Sequence, residues 1–116
     1  MNKLEQNKAE RSNISKYHTP SCANYIKRAK NAIFINPSNS LEHEMAKLKE
    51  CYLLRQLGIS FITEAVRNKK VKGKERRVDV VNLATGEEIE IETDPKRAAR
   101  FDGEEGVRVV KLWEKK

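Results

Sequence analysis

No apolar run in the 116 residues approaches the roughly 18 consecutive hydrophobic side chains that cross a bilayer. Cysteine is scarce. Cys22 and Cys51 lack CxxC spacing, so neither a zinc cluster nor a disulfide framework is expected, and both read as buried or part-buried free thiols. Aromatic residues make up only 6% of the chain, too few and too scattered for a base-stacking platform. The opening residues, Met1-Asn2-Lys3-Leu4-Glu5, carry no apolar h-region, so no secretory signal is expected and the cytoplasm is the default compartment. A Gly-rich phosphate loop, a nucleophilic Ser/His pairing and a Cys/His cluster are all missing. His43-Glu44-Met45-Ala46-Lys47 begins like HExxH, but Lys47 stands where the second His would be, which excludes a zincin.

Charge is what the chain has in quantity. Lys and Arg total 24 against 17 Asp and Glu, for a net charge of +7 and a pI near 9.5. The excess is concentrated between Arg67 and Arg77, where Arg67, Lys69, Lys70, Lys72, Lys74, Arg76 and Arg77 face a single negative residue, Glu75. A stripe of this kind suits a polyanion, and nucleic acid is the commonest one. A solvated hairpin tip is the equally weighted alternative.

The length is room for one domain. Met1 to Lys16 is polar and reads as a mobile or weakly helical basic arm. Thr19-Pro20 starts a short amphipathic helix through Ala32, and Asn36 to Ser40 is a loop. Ser40 caps a second helix whose apolar positions Leu41, Met45, Leu48, Tyr52, Leu53 and Leu57 form one face, ended by Gly58. Strands follow at Ile59–Val66, Arg77–Leu83 and Glu88–Thr93. Asp94-Pro95 opens a short helix through Phe101, and Val107–Trp113 is a last strand. From Ser40 the order is αβββαβ: an antiparallel meander, then a parallel crossover. Residues 1–39 are a basic arm with a short helix, and 40–116 are the main domain.

Asp79 sits inside the apolar run Val78-Asp79-Val80-Val81, where a lone carboxylate is costly unless it is paired or binds a cation. Glu88, Glu90 and Glu92 share one face of the next strand, with Ile89 and Ile91 on the other. For the three glutamates alone, the solvated face of an edge strand is the favoured reading. Taken with Asp79, they crowd carboxylates onto one hairpin, a hard-oxygen set suited to Mg²⁺ or Mn²⁺.

The spacing Asp79…Glu90-Ile91-Glu92 on consecutive strands, with Glu44 in the preceding helix and the αβββαβ order, resembles the PD-(D/E)xK (restriction-endonuclease-like) nucleases. Small archaeal members such as Holliday-junction resolvases are the nearest in pattern. The resemblance covers about two-thirds of the chain. It implies an α/β fold with a small mixed sheet, Mg²⁺ (or Mn²⁺) held by Asp79, Glu90 and the Ile91 carbonyl, Glu44 completing the site or holding a second ion, and hydrolysis of DNA phosphodiesters, with a homodimer as the family's common form. Glu92 departs from the pattern by replacing the usual Lys, for which Lys96 or Arg97 of the following helix are the available substitutes. That departure favours the alternative of a catalytically silent DNA-binding or complex-subunit protein. On this reading, Lys69, Lys70, Lys72, Lys74, Arg76 and Arg77 contact phosphates. Arg76 and Arg77 pairing with Glu64 or Glu75 is the competing assignment. His43 is expected on the first-turn surface, and Tyr17 and His18 are expected to be an ordinary surface pair.

Overall fold

A computed structural model describes residues 2–18, 30–68, 76–101 and 103–113. Asn2 caps α1 (Lys3–Ile14) by accepting the Glu5 N–H. The weakly helical arm expected from sequence is thus a three-turn helix. It buries no residue fully, and it is tied down near its end, where Ile14 packs on the core and Asn13 Nδ2 donates to the Leu83 carbonyl at 2.7 Å. Gly86 lies under that contact with φ of 81°, which favours glycine, and a Cβ there would stand 2.9 Å from Asn13 Oδ1 and displace the Asn13 amide. The two-residue strand β1 (Tyr17–His18) then pairs antiparallel with the end of β2. Most of the helix expected from Pro20 falls outside the described residues. Its expected end is not helical: Asn31 has φ of 64° and exchanges hydrogen bonds with Phe61 at the start of β2.

Ser40 accepts the His43 N–H and opens α2 (Leu41–Gln56), as expected, and Gly58 with φ of 73° turns the chain after it. The strands are β2 (Phe61–Arg67), β3 (Arg77–Asn82), β4 (Glu88–Glu92) and β5 (Val107–Lys111). Asp94 caps α3 (Pro95–Ala98), which runs on as a 3₁₀ turn to Phe101. The five strands lie in chain order. The β1, β2, β3 and β4 neighbours are antiparallel and β4–β5 is parallel, so the expected meander and crossover are both present in a mixed α/β sheet. Among the described residues, no helix is long and apolar enough to cross a membrane.

Two expectations about faces are overturned. The first concerns α2, whose apolar positions point outward: Leu41, Met45, Leu48, Tyr52, Leu53 and Leu57 are all exposed. The face on the sheet consists of His43, Glu44, Lys47, Cys51 and Leu54. Counting apolar letters misses this because Glu44 and Lys47 neutralise each other at 2.7 Å and so can be buried together. The second concerns β4, which is a central strand and not an edge, with all five of its residues buried. Its glutamates are 1%, 5% and 8% exposed, in the order Glu88, Glu90 and Glu92, so no solvated face exists there.

Candidate active site: a carboxylate cleft with an arginine rim

The apolar register of the sheet breaks at one place. Thr63 pairs with Val80 and Ala65 with Val78, which leaves Glu64 across from Asp79. Strict alternation would put Ile62 and Ala65 on opposite faces, and likewise Val78 and Val81. All four belong to one core cluster, so the pleat slips by a residue between them. Glu64 carries the slip with φ of 49°, a left-handed conformation that costs a side-chain-bearing residue about 1 kcal/mol or more. Glu64 and Asp79 consequently escape the core and reach a polar cleft of about 380 Å³.

That cleft also receives Glu90, Ile91 and Glu92 from β4, His43 from α2, and the loop residues Asn36 and Asn39. Asp79 Oδ2 accepts the Ile91 N–H at 2.8 Å, and Glu90 Oε1 accepts the Asp79 N–H at 3.1 Å. Burial, followed by the Asp79 charge, pushes the Glu90 carboxyl up to about 7. Glu64 is 3% exposed, and its Oε2 has no hydrogen-bond partner, the Lys47 ammonium standing off at 3.6 Å.

Glu44 does not line the cleft and acts through its neighbours. Its carboxylate accepts the Asn36 N–H at 2.7 Å and takes bonds from Asn39 Nδ2 and Lys47. Burial alone would raise its pKa, but these donors together with His43 hold it down to about 2. Lys47 is fully buried and also donates to the Phe34 carbonyl. His43, contrary to the surface position expected, is 9% exposed and bridges Glu44 Oε2 at 2.8 Å and Asp79 Oδ2 at 3.4 Å. The bond to Asp79, opposed by burial and helped by Glu44, raises the imidazole to about 9, so it is charged at neutral pH.

Glu88 belongs to a separate network. It accepts the Tyr17 hydroxyl at 2.6 Å and a bidentate Arg67 guanidinium, while Arg76 joins it to Glu90 and Glu104. Tyr17 is 3% exposed, so the surface pair expected with His18 does not exist. The Glu88 bond forms because burial leaves the phenol no water to donate to. The phenol is raised by burial and by Glu88, and the Arg67 guanidinium is raised chiefly by its bond to Glu88. Glu92, in the position where a Lys was to be replaced, accepts the Thr93 and Asp94 N–H groups through Oε1 and so closes the turn into α3.

The cleft's rim is basic. Arg77, Arg97 and Arg100 line it, with Arg100 stacked on the Phe101 ring at 4.8 Å. Arg77 lies 3.9 Å from Glu64 and is otherwise exposed. Lys96 is exposed and is not among the lining residues; Arg97 of α3 and Arg100 of the following 3₁₀ turn, both exposed, line the cleft instead. Lys69, Lys70, Lys72 and Lys74 lie outside the described residues. His43, Glu64 and Arg100 were not assigned to the site from sequence. Glu64 carried a usable signal, since it interrupts an apolar strand as Asp79 does. Comparison of the chain with models of known protein families, with curated proteins and with solved structures finds no match.

Proposed function

We propose that the chain is a divalent-metal-dependent nuclease that hydrolyses DNA phosphodiesters in this cleft. The observation that carries the reading is the convergence of three carboxylate residues, Glu64, Asp79 and Glu90, on one cleft lined by Arg77, Arg97 and Arg100, with Glu64 Oε2 buried and without a hydrogen-bond partner. Burial first and the Asp79 charge second lift Glu90 to about 7, and a cation held between the two acids would offset that cost. The donors are all hard oxygens, which fits Mg²⁺ or Mn²⁺ and not zinc. Asp79, Glu90 and the Ile91 carbonyl would hold the ion, and Glu64 is placed to join them. Asp79 Oδ2 lies 3.4 Å from His43 Nε2, so Asp79 would exchange that partner for a cation on joining the metal-holding set. When bound, such an ion supplies Lewis-acid activation and neutralises charge on the scissile phosphate.

The chain's own residues provide the remainder. Arg97 and Arg100 offer guanidinium groups to phosphate oxygens, the task that the missing Lys would share. Glu44 fixes the His43 ring, and His43 holds a proton beside Asp79 until a cation takes its place.

A silent DNA-binding relative is the second reading. It is favoured by Glu92, an acid at the position of the usual Lys, whose Oε1 is taken up by the Thr93 and Asp94 N–H groups. The discriminating experiment is cleavage of labelled duplex, single-stranded and four-way-junction DNA with Mg²⁺, Mn²⁺ or EDTA, using wild type and Asp79→Asn. Metal-dependent cutting lost in Asp79→Asn is expected. Salt-sensitive binding without cutting of any substrate would replace the nuclease with the binding protein.

A further inference from the structure

The outward face of α2 is built like an interface. Leu41, Met45, Leu48 and Tyr52 recur at spacings of four, three and four, which puts them on one narrow stripe of the helix. They are 76%, 60%, 52% and 61% exposed. One edge of the stripe is bordered by Glu42 and Lys49, both exposed and close together around the helix axis. On a helix otherwise held to the sheet by a charged face, this apolar stripe is the part left without a covering among the described residues.

We infer that a second copy of this chain packs on the stripe, with the two α2 helices antiparallel. The pattern is self-complementary only in that direction. Centring the pair between Met45 and Leu48 sets Leu41 against the partner's Tyr52 and Met45 against the partner's Leu48. In the same register Glu42 and the partner's Lys49 differ by two residues along the axis, about 3 Å, and lie on the same side of the seam. The two-fold axis forms that ion pair twice. A parallel two-fold pairing puts the two Glu42/Lys49 edges on opposite sides of the seam, so this ion pair cannot form. Tyr52 alone leaves on the order of 100 Å² to cover, so the four side chains supply roughly half of the about 800 Å² per partner of a specific interface. The dimer is therefore one that dissociates with a Kd on the order of micromolar.

The test is sedimentation of the purified full chain between about 1 and 200 µM, a range that spans such a Kd. Wild type is expected to pass from monomer to dimer across it. Leu48→Lys with Tyr52→Lys is expected to stay monomeric with an unchanged far-UV spectrum. Glu42→Lys alone and Lys49→Glu alone are each expected to weaken the dimer several-fold, and the two together to restore it. A wild type that is monomeric throughout overturns the inference; residues 19–29 of the same chain, or another protein, would then be the covering. A dimer indifferent to the Lys substitutions, or a charge swap that fails to restore it, overturns it as well. None of these readings uses cleavage, so the dimer and the nuclease proposal stand or fall separately.

Discussion

The Glu90 carboxylate accepts the backbone N–H of Asp79 at 3.1 Å, and Asp79 in turn accepts the N–H of Ile91, so each acid is anchored on the other's strand. Two carboxylates are thereby held side by side in a buried place by backbone donors. The repulsion that results has measurable consequences.

Glu90 is expected to cost the metal-free protein stability above acid pH. Its folded pKa of about 7 lies above the ordinary carboxyl value, so its contribution is fully present below about 4.5 and is lost as pH rises to 7. Urea unfolding in EDTA between pH 4.5 and 6.5, below the His43 window, should show wild type weakening and Glu90→Gln nearly flat. A Glu90→Gln profile that falls as steeply as wild type would sink the assignment. The same substitution should remove metal-dependent cutting.

His43 is expected to act in a higher window. Its folded pKa of about 9 exceeds the ordinary value near 6.5, so its bonds stabilise fully below 6.5 and fade as pH climbs through 9. His43→Gln should abolish the decline in metal-free stability between those limits. Ring-proton chemical shifts of His43 should titrate near pH 9 in EDTA, and the midpoint should fall once Mn²⁺-sized charge, supplied as diamagnetic Mg²⁺, occupies the cleft.

Removing one member of the buried Lys47–Glu44 pair should be severe. Lys47→Met leaves Glu44 and Glu64 without their ammonium and is expected to destabilise by roughly 3–5 kcal/mol. Combining it with Glu44→Gln should recover a large part of that loss in thermal unfolding. No recovery would mean that Lys47 acts chiefly through Glu64 and the Phe34 carbonyl.

Arg97→Ala and Arg100→Ala should each weaken DNA binding similarly for every sequence, and each should reduce the slope of log affinity against log salt by about 1. Lys96→Ala, on the outer side of α3, should leave both quantities unchanged. Equal effects from all three would argue for diffuse attraction by the positive surface.

Much of this architecture could be read from the letters. Ser40, Gly58, Gly86 and Asp94-Pro95 carry local turn and cap chemistry that depends on near neighbours only, and every element they bound appears. Asp79 was legible because it interrupts an apolar run. What escaped depends on partners distant in sequence. His43 and Lys47 are buried with Glu44 of their own helix, and Asp79 and Glu64 of the sheet complete the compensation. Tyr17 is buried because Glu88, 71 residues on, accepts its hydroxyl. The outward turn of α2 followed from the same cause, since a neutralised charged face displaced the apolar one from the sheet.

The position of Glu88 also bears on how the chain assembles. Its carboxylate lies on an interior strand of the sheet, and its partners come from β1, the end of β2 and the residue just before β3. Enclosing that charge before Tyr17, Arg67 and Arg76 arrive would cost several kcal/mol. The central strand and the two-residue N-terminal strand must therefore close in one cooperative event, and a chain trimmed past Tyr17 should lose the middle of the sheet along with its edge.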